Sequence, residues 1–313
     1  MMTRVLYGVF RAGGGRMVAG GGGMVMGCGG RNMAVRLASG VDDEPVSSVA
    51  TDVRETLCSN TGAGYMSIGY PAARKMMHEH ANMVDVYGDG TGCLNVEHVF
   101  PESMFKDDIR KSVMRADLHN LFMCSRRLNT FRKNFRYVTP EQYAAGGGGG
   151  KIIDAWGNNI LSATEVFRRS GNLMAVNGRR RMFVPMDRSR GKVARALAYF
   201  VVRYDYAHRL NAIIDPRTLI EWNRTHPVDD DEYLKNVVCY IHQGNLNPFI
   251  MNPGMVEHAF SDMVDGMGCV KLGTGKWDTG VDTFHTIDHL VGRLRIADRD
   301  NKRLVRTLNT LRK

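Results

Sequence analysis

The stretch Asn95-Val-Glu-His-Val-Phe-Pro-Glu-Ser-Met-Phe105 decides how this chain is read, with Asp117-Leu-His-Asn-Leu121 and Asn129-Thr-Phe-Arg-Lys-Asn134 behind it. Residues 95–134 gather carboxylates, imidazoles and carboxamides, the groups that hold hard cations and move protons. A Glu-His pair beside a proline is common by chance, and taken alone His98 reads more readily as structural. The density of such groups is the unusual feature. Phosphodiester hydrolysis needs water to lose a proton near neutral pH, and an imidazole with a pKa near ~6.5 can take it. It also needs a hard divalent cation against the departing 3′ oxygen, and Mg²⁺ requires only one or two protein oxygens. Glu97 and Asn129 can supply those oxygens while His98 acts as base. On an extended segment successive side chains leave opposite faces, so Glu97 and His98 would need a bulge or bend to reach one phosphate.

Around this stretch lies a basic chain of 313 residues, 43% hydrophobic and with a formal net charge of +10. Its mean hydropathy is −0.27, and no apolar run approaches the roughly 18–20 residues of a membrane span, which excludes a transmembrane protein. The charge excess implies a polyanionic partner. It is unevenly placed: residues 97–192 carry +9, flanked by −5 over 42–96 and −4 over 193–270, while 1–41 and 271–313 carry +5 each. The segment bearing the motifs is the basic one, as a cleft for a phosphate backbone should be. The six cysteines form no close C-x-x-C pair, which argues against a zinc ribbon, and their scatter favours reduced thiols and an intracellular compartment.

Residues 1–60 read as a Gly/Arg-rich low-complexity extension, with an organellar targeting segment as the alternative. Residues 61–255 read as the folded domain, beginning near Tyr65, and 256–313 as a basic C-terminal extension. A helix is expected over Pro71–Asn82 and a turn at Gly88–Gly92. The run Gly146–Gly150 before Lys151 fails the phosphate-loop pattern at Ala145 and Ile152, and is expected to be a flexible surface insertion. Lys192–Ile213 predicts one long amphipathic helix with Ala194, Leu197, Ala198, Val201 and Val202 on one side. Another helix follows Pro227, with Asp229–Glu232 suited to its N-terminus and Leu234, Val237, Val238 and Ile241 as its apolar face.

N-V-E-H-V-F-P-E-S-M-F, D-L-H-N-L and N-x-x-R-x-N, in that order, resemble the endonuclease I family of His-Me finger (ββα-metal, HNH-like) nucleases. The likeness extends upstream to Tyr70-Pro-Ala-Ala-Arg-Lys-Met76. Downstream it takes in Phe183–Arg188, Gly191–Ala196, Val202–Asp205, Leu219–Trp222, Pro227–Asp229 and Gln243-Gly-Asn-Leu-Asn-Pro-Phe249. The resemblance implies an α+β fold, a mostly helical domain around a ββα-metal finger in which a hairpin bears His98 and the following helix bears Asn129. It implies His98 as general base, and Glu97 and Asn129 as ligands of one Mg²⁺, with Mn²⁺ or Ca²⁺ as substitutes. Asp117, His119 and Asn120 would support the finger, as would Asn134; Arg132 would either touch phosphate or brace the finger. The segment from which secreted bacterial relatives send an arginine to the phosphate is shorter here, with nineteen positions from His98 to Asp117. Arg110, Lys111 and Arg115 are the candidates to replace it, Arg115 standing where some relatives carry a glutamate. The implied substrate is nucleic acid, DNA with RNA as an alternative, cut with weak sequence specificity; no membrane is implied, and no inhibitor or protein partner is identified. A binding protein that keeps the finger without cutting is the competing reading, and a packaging role for the basic tails a third.

Other features read as structural. His78-Glu-His80 lacks a third ligand, Arg179-Arg-Arg181 reads as a solvated basic turn before a phosphate contact, and Trp222 reads as a packing residue. The 20 methionines read as core filler.

Overall fold

A computed structural model describes residues 46–79, 86–88, 94–147, 149–160 and 172–264. The expectations for the segment 1–41, the basic segment 271–313, His80, Gly148 and most of Gly88–Gly92 lie outside the described residues. In chain order, helices α1 (Val46–Gly62) and α2 (Tyr70–Glu79) precede strand β1 (Leu94–His98). A 3-10 turn (Glu102–Met104) and a short helix α3 (Lys111–Arg115) lead to β2 (Leu121–Ser125), and helix α4 (Arg126–Arg132) follows at once. Next come β3 (Arg136–Tyr137), α5 (Pro140–Ala145), β4 (Lys151–Ile153), β5 (Met174–Asn177) and β6 (Met182–Val184). The remainder is helical: α6 (Asp187–Arg203), a 3-10 turn (Ala207–Arg209), α7 (Leu210–Ile213), α8 (Pro216–Thr225), α9 (Asp230–Gln243), α10 (Pro248–Met251) and α11 (Met255–Phe260). This is the expected α+β class, with small sheets in a helical shell.

Two sheets form. β1 and β2 make an antiparallel hairpin in unbroken register from Leu94↔Ser125 to His98↔Leu121. The second sheet runs β3-β6-β5-β4, with β3 and β6 parallel and the other pairs antiparallel. Thr139 and Gln142 start α5 with a reciprocal capping box, and Pro140 occupies the first helical position where its missing N–H costs nothing. The expected glycine insertion is the link from α5 to β4. Gly150 must be glycine, because a Cβ there would lie 2.0 Å from the Val176 carbonyl oxygen of β5.

Helix α6 is the centre of the core. Every residue from Val193 to Val202 is buried, so the helix is enclosed on all sides rather than along the one face expected. Its polar face is satisfied internally: Arg195 donates from Nε to Glu232 Oε1 at 2.9 Å and from Nη1 to the His226 carbonyl at 2.9 Å. Glu232 thus serves as the partner of a buried arginine, and Asp229 caps α9 by accepting the Glu232 N–H. The predicted helix 192–213 is interrupted after Arg203. Asp205 takes a left-handed φ of 56°, and the break sends the hydroxyl of Tyr204 to Asp117 and that of Tyr206 to Asp108. On α9, Val237 and Val238 are buried but Ile241 is exposed, because the face turned inward is the one that carries Glu232, Asn236, Cys239 and Gln243.

The ordered chain extends past both ends of the span 61–255. Ala50 and Leu57 of α1 are buried, and α1 packs along α6. Arg54 of α1 holds Asp262 at 2.7 Å and donates to the Ala259 carbonyl at 2.6 Å, tying α1 to α11 and the 3-10 turn Ser261–Met263 that follows it. The stripe Ala50, Val53, Leu57 at helical spacing explains this, and the glycine-rich composition upstream obscures it.

Candidate active site

His98 ends β1 and is half-buried. Its ring lies 5.7 Å from that of Tyr70 at 26°, and 6.4 Å from Phe105 in an edge arrangement. Nε2 is 3.0 Å from the Arg115 carbonyl oxygen. A carbonyl can only accept, so Nε2 carries the proton and Nδ1 keeps its lone pair. Burial lowers the pKa of His98, partly opposed by the Arg115 carbonyl, which favours the neutral ring.

Glu97 leaves the other face of the strand and is buried. Its Oε1 accepts the Tyr87 hydroxyl at 3.1 Å and lies 3.3 Å from Arg132 Nε. Burial pushes the carboxyl up to about 7, against the pull of Arg132 and of the Tyr87 hydroxyl. Arg132 is itself wholly enclosed: it donates to the carbonyls of Val99 and Lys133, both at 2.6 Å, and its guanidinium sits 4.6 Å over the Tyr137 ring. Tyr87 and Tyr137 join hydroxyls across this pocket. Of the two roles open to Arg132, these contacts are those of a brace. Of the bulge or bend expected to turn Glu97 and His98 together, the hairpin has no bulge. The hairpin stays in register through His98, and the chain bends only afterwards, at Val99 and Phe100.

Asn129 projects from α4 toward β1, donating from Nδ2 to the Val96 carbonyl at 3.3 Å. That bond fixes the amide, and its Oδ1 takes no hydrogen bond among the described residues. A buried carboxylate oxygen and an oriented carboxamide oxygen on the two elements that meet at the β1–α4 contact are a donor set that fits a hard divalent cation. Among the described residues no group of three or more His, Cys, Asp or Glu side chains could hold a metal, so these residues build no closed zinc-type cage.

The D-L-H-N-L block lies in the interior. Asp117 Oδ2 accepts the hydroxyls of Tyr199 at 3.0 Å and Tyr204 at 2.8 Å; Oδ1 accepts from Gln243 Nε2 and the His119 N–H, both at 3.0 Å. His119 Nε2 meets the Asn245 carbonyl at 3.1 Å, and burial lowers its pKa to about 4. Asn120 closes the hairpin, accepting the Phe100 N–H at 2.7 Å and donating to the Phe100 carbonyl at 3.1 Å. Asn134 bridges Ser103 Oγ at 3.1 Å and Arg181 at 2.7 Å.

The three candidate phosphate ligands separate. Arg115 stacks over Tyr70 at 4.0 Å, on the ring that faces His98, and its Nε donates to Glu102 Oε2 at 3.1 Å. Lys111 stands 3.9 Å from the same Glu102. Arg110 instead forms a fork with Asp108, at 3.1 and 2.9 Å, and lies over the rings of Tyr204 and Tyr206. Sequence reasoning did not single out Tyr87, Tyr137 or Glu102 for the site, nor Tyr70, Gln243 and Asn245 individually. The last three fall inside blocks that carry the family resemblance. Tyr87 falls in none, and nothing in its spacing signals a buried hydroxyl pair.

A family model described as Endonuclease I matches residues 49–254. Among curated proteins the chain is similar to the "Extracellular ribonuclease" of Bacillus subtilis (strain 168). The two are 27% identical over 182 residues, 53% of this chain and 54% of that protein. The chain thus spans about half the length of the curated relative it matches.

Proposed function

Because the chain belongs to the endonuclease I family, we propose that it is a metal-dependent endonuclease that hydrolyses phosphodiester bonds by a histidine-activated water. The observation that carries this reading is His98: a neutral imidazole whose Nε2–H is committed to the Arg115 carbonyl, leaving Nδ1 as the base. Water bound near Nδ1 would give up its proton there, and the Arg115 carbonyl would stabilise the imidazolium that results. Tyr70 stacks against the ring and Phe105 meets it edge-on, and these contacts hold its orientation.

Glu97 and Asn129 are the residues proposed to hold the cation, with Mg²⁺ the natural choice and Mn²⁺ or Ca²⁺ as substitutes. When bound it would supply positive charge against the leaving 3′ oxygen. Arg132 sets the position of Glu97 by charge and by its carbonyl bonds to Val99 and Lys133. Arg115 and Lys111 are the groups proposed to meet the phosphate, exchanging Glu102 for substrate oxygens. Arg110 is not proposed for this role, since its fork is filled by Asp108. Backbone contacts of this kind carry little sequence information. The substrate reading includes RNA beside DNA, supported by the relative whose name is a ribonuclease.

Digestion of plasmid DNA and of structured RNA, with Mg²⁺ or with EDTA, tests the proposal in wild type and in His98→Ala. Cleavage should require the cation and fall by about 10²–10⁴-fold in the variant. Equal nicking by both proteins, or retention of nucleic acid without cutting under any divalent cation, refutes it.

A further inference from the structure

Trp156 is 59% exposed, and it is held out by a built turn. Asp154 Oδ1 accepts the N–H groups of Trp156 at 3.0 Å and Asn158 at 2.8 Å, and Oδ2 accepts Asn158 Nδ2 at 3.1 Å. The turn rests on α4. Gly157, at a φ of 79°, approaches Arg127 so closely that a Cβ would lie 2.9 Å from its Cδ, and Arg127 Nη1 reaches Asn158 Oδ1 at 3.3 Å. A lone exposed apolar side chain is ordinary by itself; what distinguishes Trp156 is a hydrogen-bonded turn that presents it, next to a stretch of cations unpaired among the described residues.

The partner's chemistry follows from the charge that leads away from this turn along α4 and across the second sheet. Beyond Arg127 the outer face of α4 carries Phe131, with Lys151 Nζ 5.8 Å from its ring, and Lys133 and Arg181 share the ring of Phe135 at 5.7 and 5.8 Å. Topology puts these cations at one end of the second sheet. Lys151 opens β4 opposite Val176, the turn Gly178–Arg181 joins β5 to β6, and Arg136 opens β3 opposite Met182. Among the described residues no carboxylate pairs with Arg127, Lys133, Lys151 or the three arginines of that turn. Arg136 alone has one, Asp215 at 3.9 Å. Arg110, Lys111 and Arg115, by contrast, each have a carboxylate partner.

We propose that Trp156 is a stacking platform for an unpaired base, and that the basic rim from Arg127 to the Arg179–Arg181 turn carries the backbone of the same single strand. The inference rests on the nuclease reading for the strand's relevance, and deepens it by naming an unpaired segment as the part of the substrate recognised away from His98. In a duplex each base face is covered by its neighbours, so an indole can stack only on a base that is unpaired or terminal. The rim supplies the charge that attracts phosphates without reading sequence.

The test uses the full chain in EDTA, titrated with a single-stranded oligonucleotide of about twelve residues and, at equal nucleotide concentration, with a relaxed closed-circular duplex, which has no terminal base. The chain has three tryptophans, so Trp156→Phe identifies the source of any fluorescence change. The single strand should quench wild type and leave Trp156→Phe unquenched. Trp156→Ala should bind the strand about tenfold more weakly, with Trp156→Phe within about threefold of wild type. Arg179→Gln with Arg180→Gln should lower the slope of log affinity against log salt by about 1.4. Quenching that persists in Trp156→Phe, equal binding by Trp156→Ala, or quenching by anionic vesicles or by the duplex in place of the strand overturns the platform. Cleavage is scored separately with Mg²⁺. A wild type that is quenched by the strand but never cuts refutes the nuclease reading and leaves the platform standing.

Discussion

Replacing Asp117 by alanine removes one acceptor from four donors at once: the hydroxyls of Tyr199 and Tyr204, the Gln243 amide and the His119 N–H. A hydrogen bond to a charged group contributes about 1.5–3 kcal/mol, and a buried donor left unpaired costs about 1–3 kcal/mol. Not all four stay orphaned. Tyr199 already accepts from Asn245 at 2.7 Å and can reorient. Discounting for that, Asp117→Ala should lose about 4–6 kcal/mol, close to the whole stability of a marginal domain at about 5–15 kcal/mol. For a domain of this size that is roughly 10–20 °C in Tm. Asp117→Asn keeps one acceptor, and its amide can donate to a tyrosine oxygen, so its loss should be about 1–3 kcal/mol. Thermal melts of the three proteins by circular dichroism read these shifts. A cycle with Tyr204→Phe should show coupling of about 1–2 kcal/mol, since the two side chains touch. An Asp117→Ala protein melting within 3 °C of wild type, on the scale of about 2–4 °C per kcal/mol, would refute the reasoning. An Asp117→Asn protein that melts normally but has lost cleavage would move Asp117 from the scaffold into the site.

Two further outcomes follow from buried charge. His119 has its pKa lowered to about 4 by burial, so the unfolded chain binds the extra proton first. Stability from this group is complete above ~6.5 and is lost as pH falls toward about 4, costing about 2–3 kcal/mol by pH 4.5. Glu97, pushed up to about 7, acts in the opposite direction over that window, so urea titrations at pH 7 and 4.5 must compare wild type with His119→Gln. An unchanged acid limb in the variant counts against the assignment. Glu232→Gln leaves Arg195 enclosed without its counter-charge and should cost about 3–5 kcal/mol. Urea midpoints measure it, and Arg195→Met with Glu232→Leu should recover most of the loss.

The hairpin-plus-helix was legible because its determinants are local. The motifs that carry the family resemblance, and with it the expected hairpin and helix, lie within residues 95–134, and helix α4 starts directly where β2 ends. Helix α9 was legible from its acidic start and helical spacing. Helix α6 was legible as a helix but not in its length, because the break at Asp205 is made by Tyr204 and Tyr206 reaching distant carboxylates. Helix α1 is hidden from composition because residues 1–60 share a Gly/Arg-rich average, inside which the apolar stripe Ala50, Val53 and Leu57 begins.

Residue types and their order were enough to identify the family and the finger, and to name His98, Glu97 and Asn129 as a coherent chemical set. Only the tertiary structure could separate Arg115 and Lys111, on the His98 side through Glu102, from Arg110, whose fork is filled by Asp108. Only it could enclose Arg132 against Glu97, and join Asp117 to groups 82, 87 and 126 residues away. The physical reason is the same in each case. Whether a charge is a ligand, a brace or a free surface group depends on which partners and how much water surround it, and those partners are brought together by packing distant in sequence.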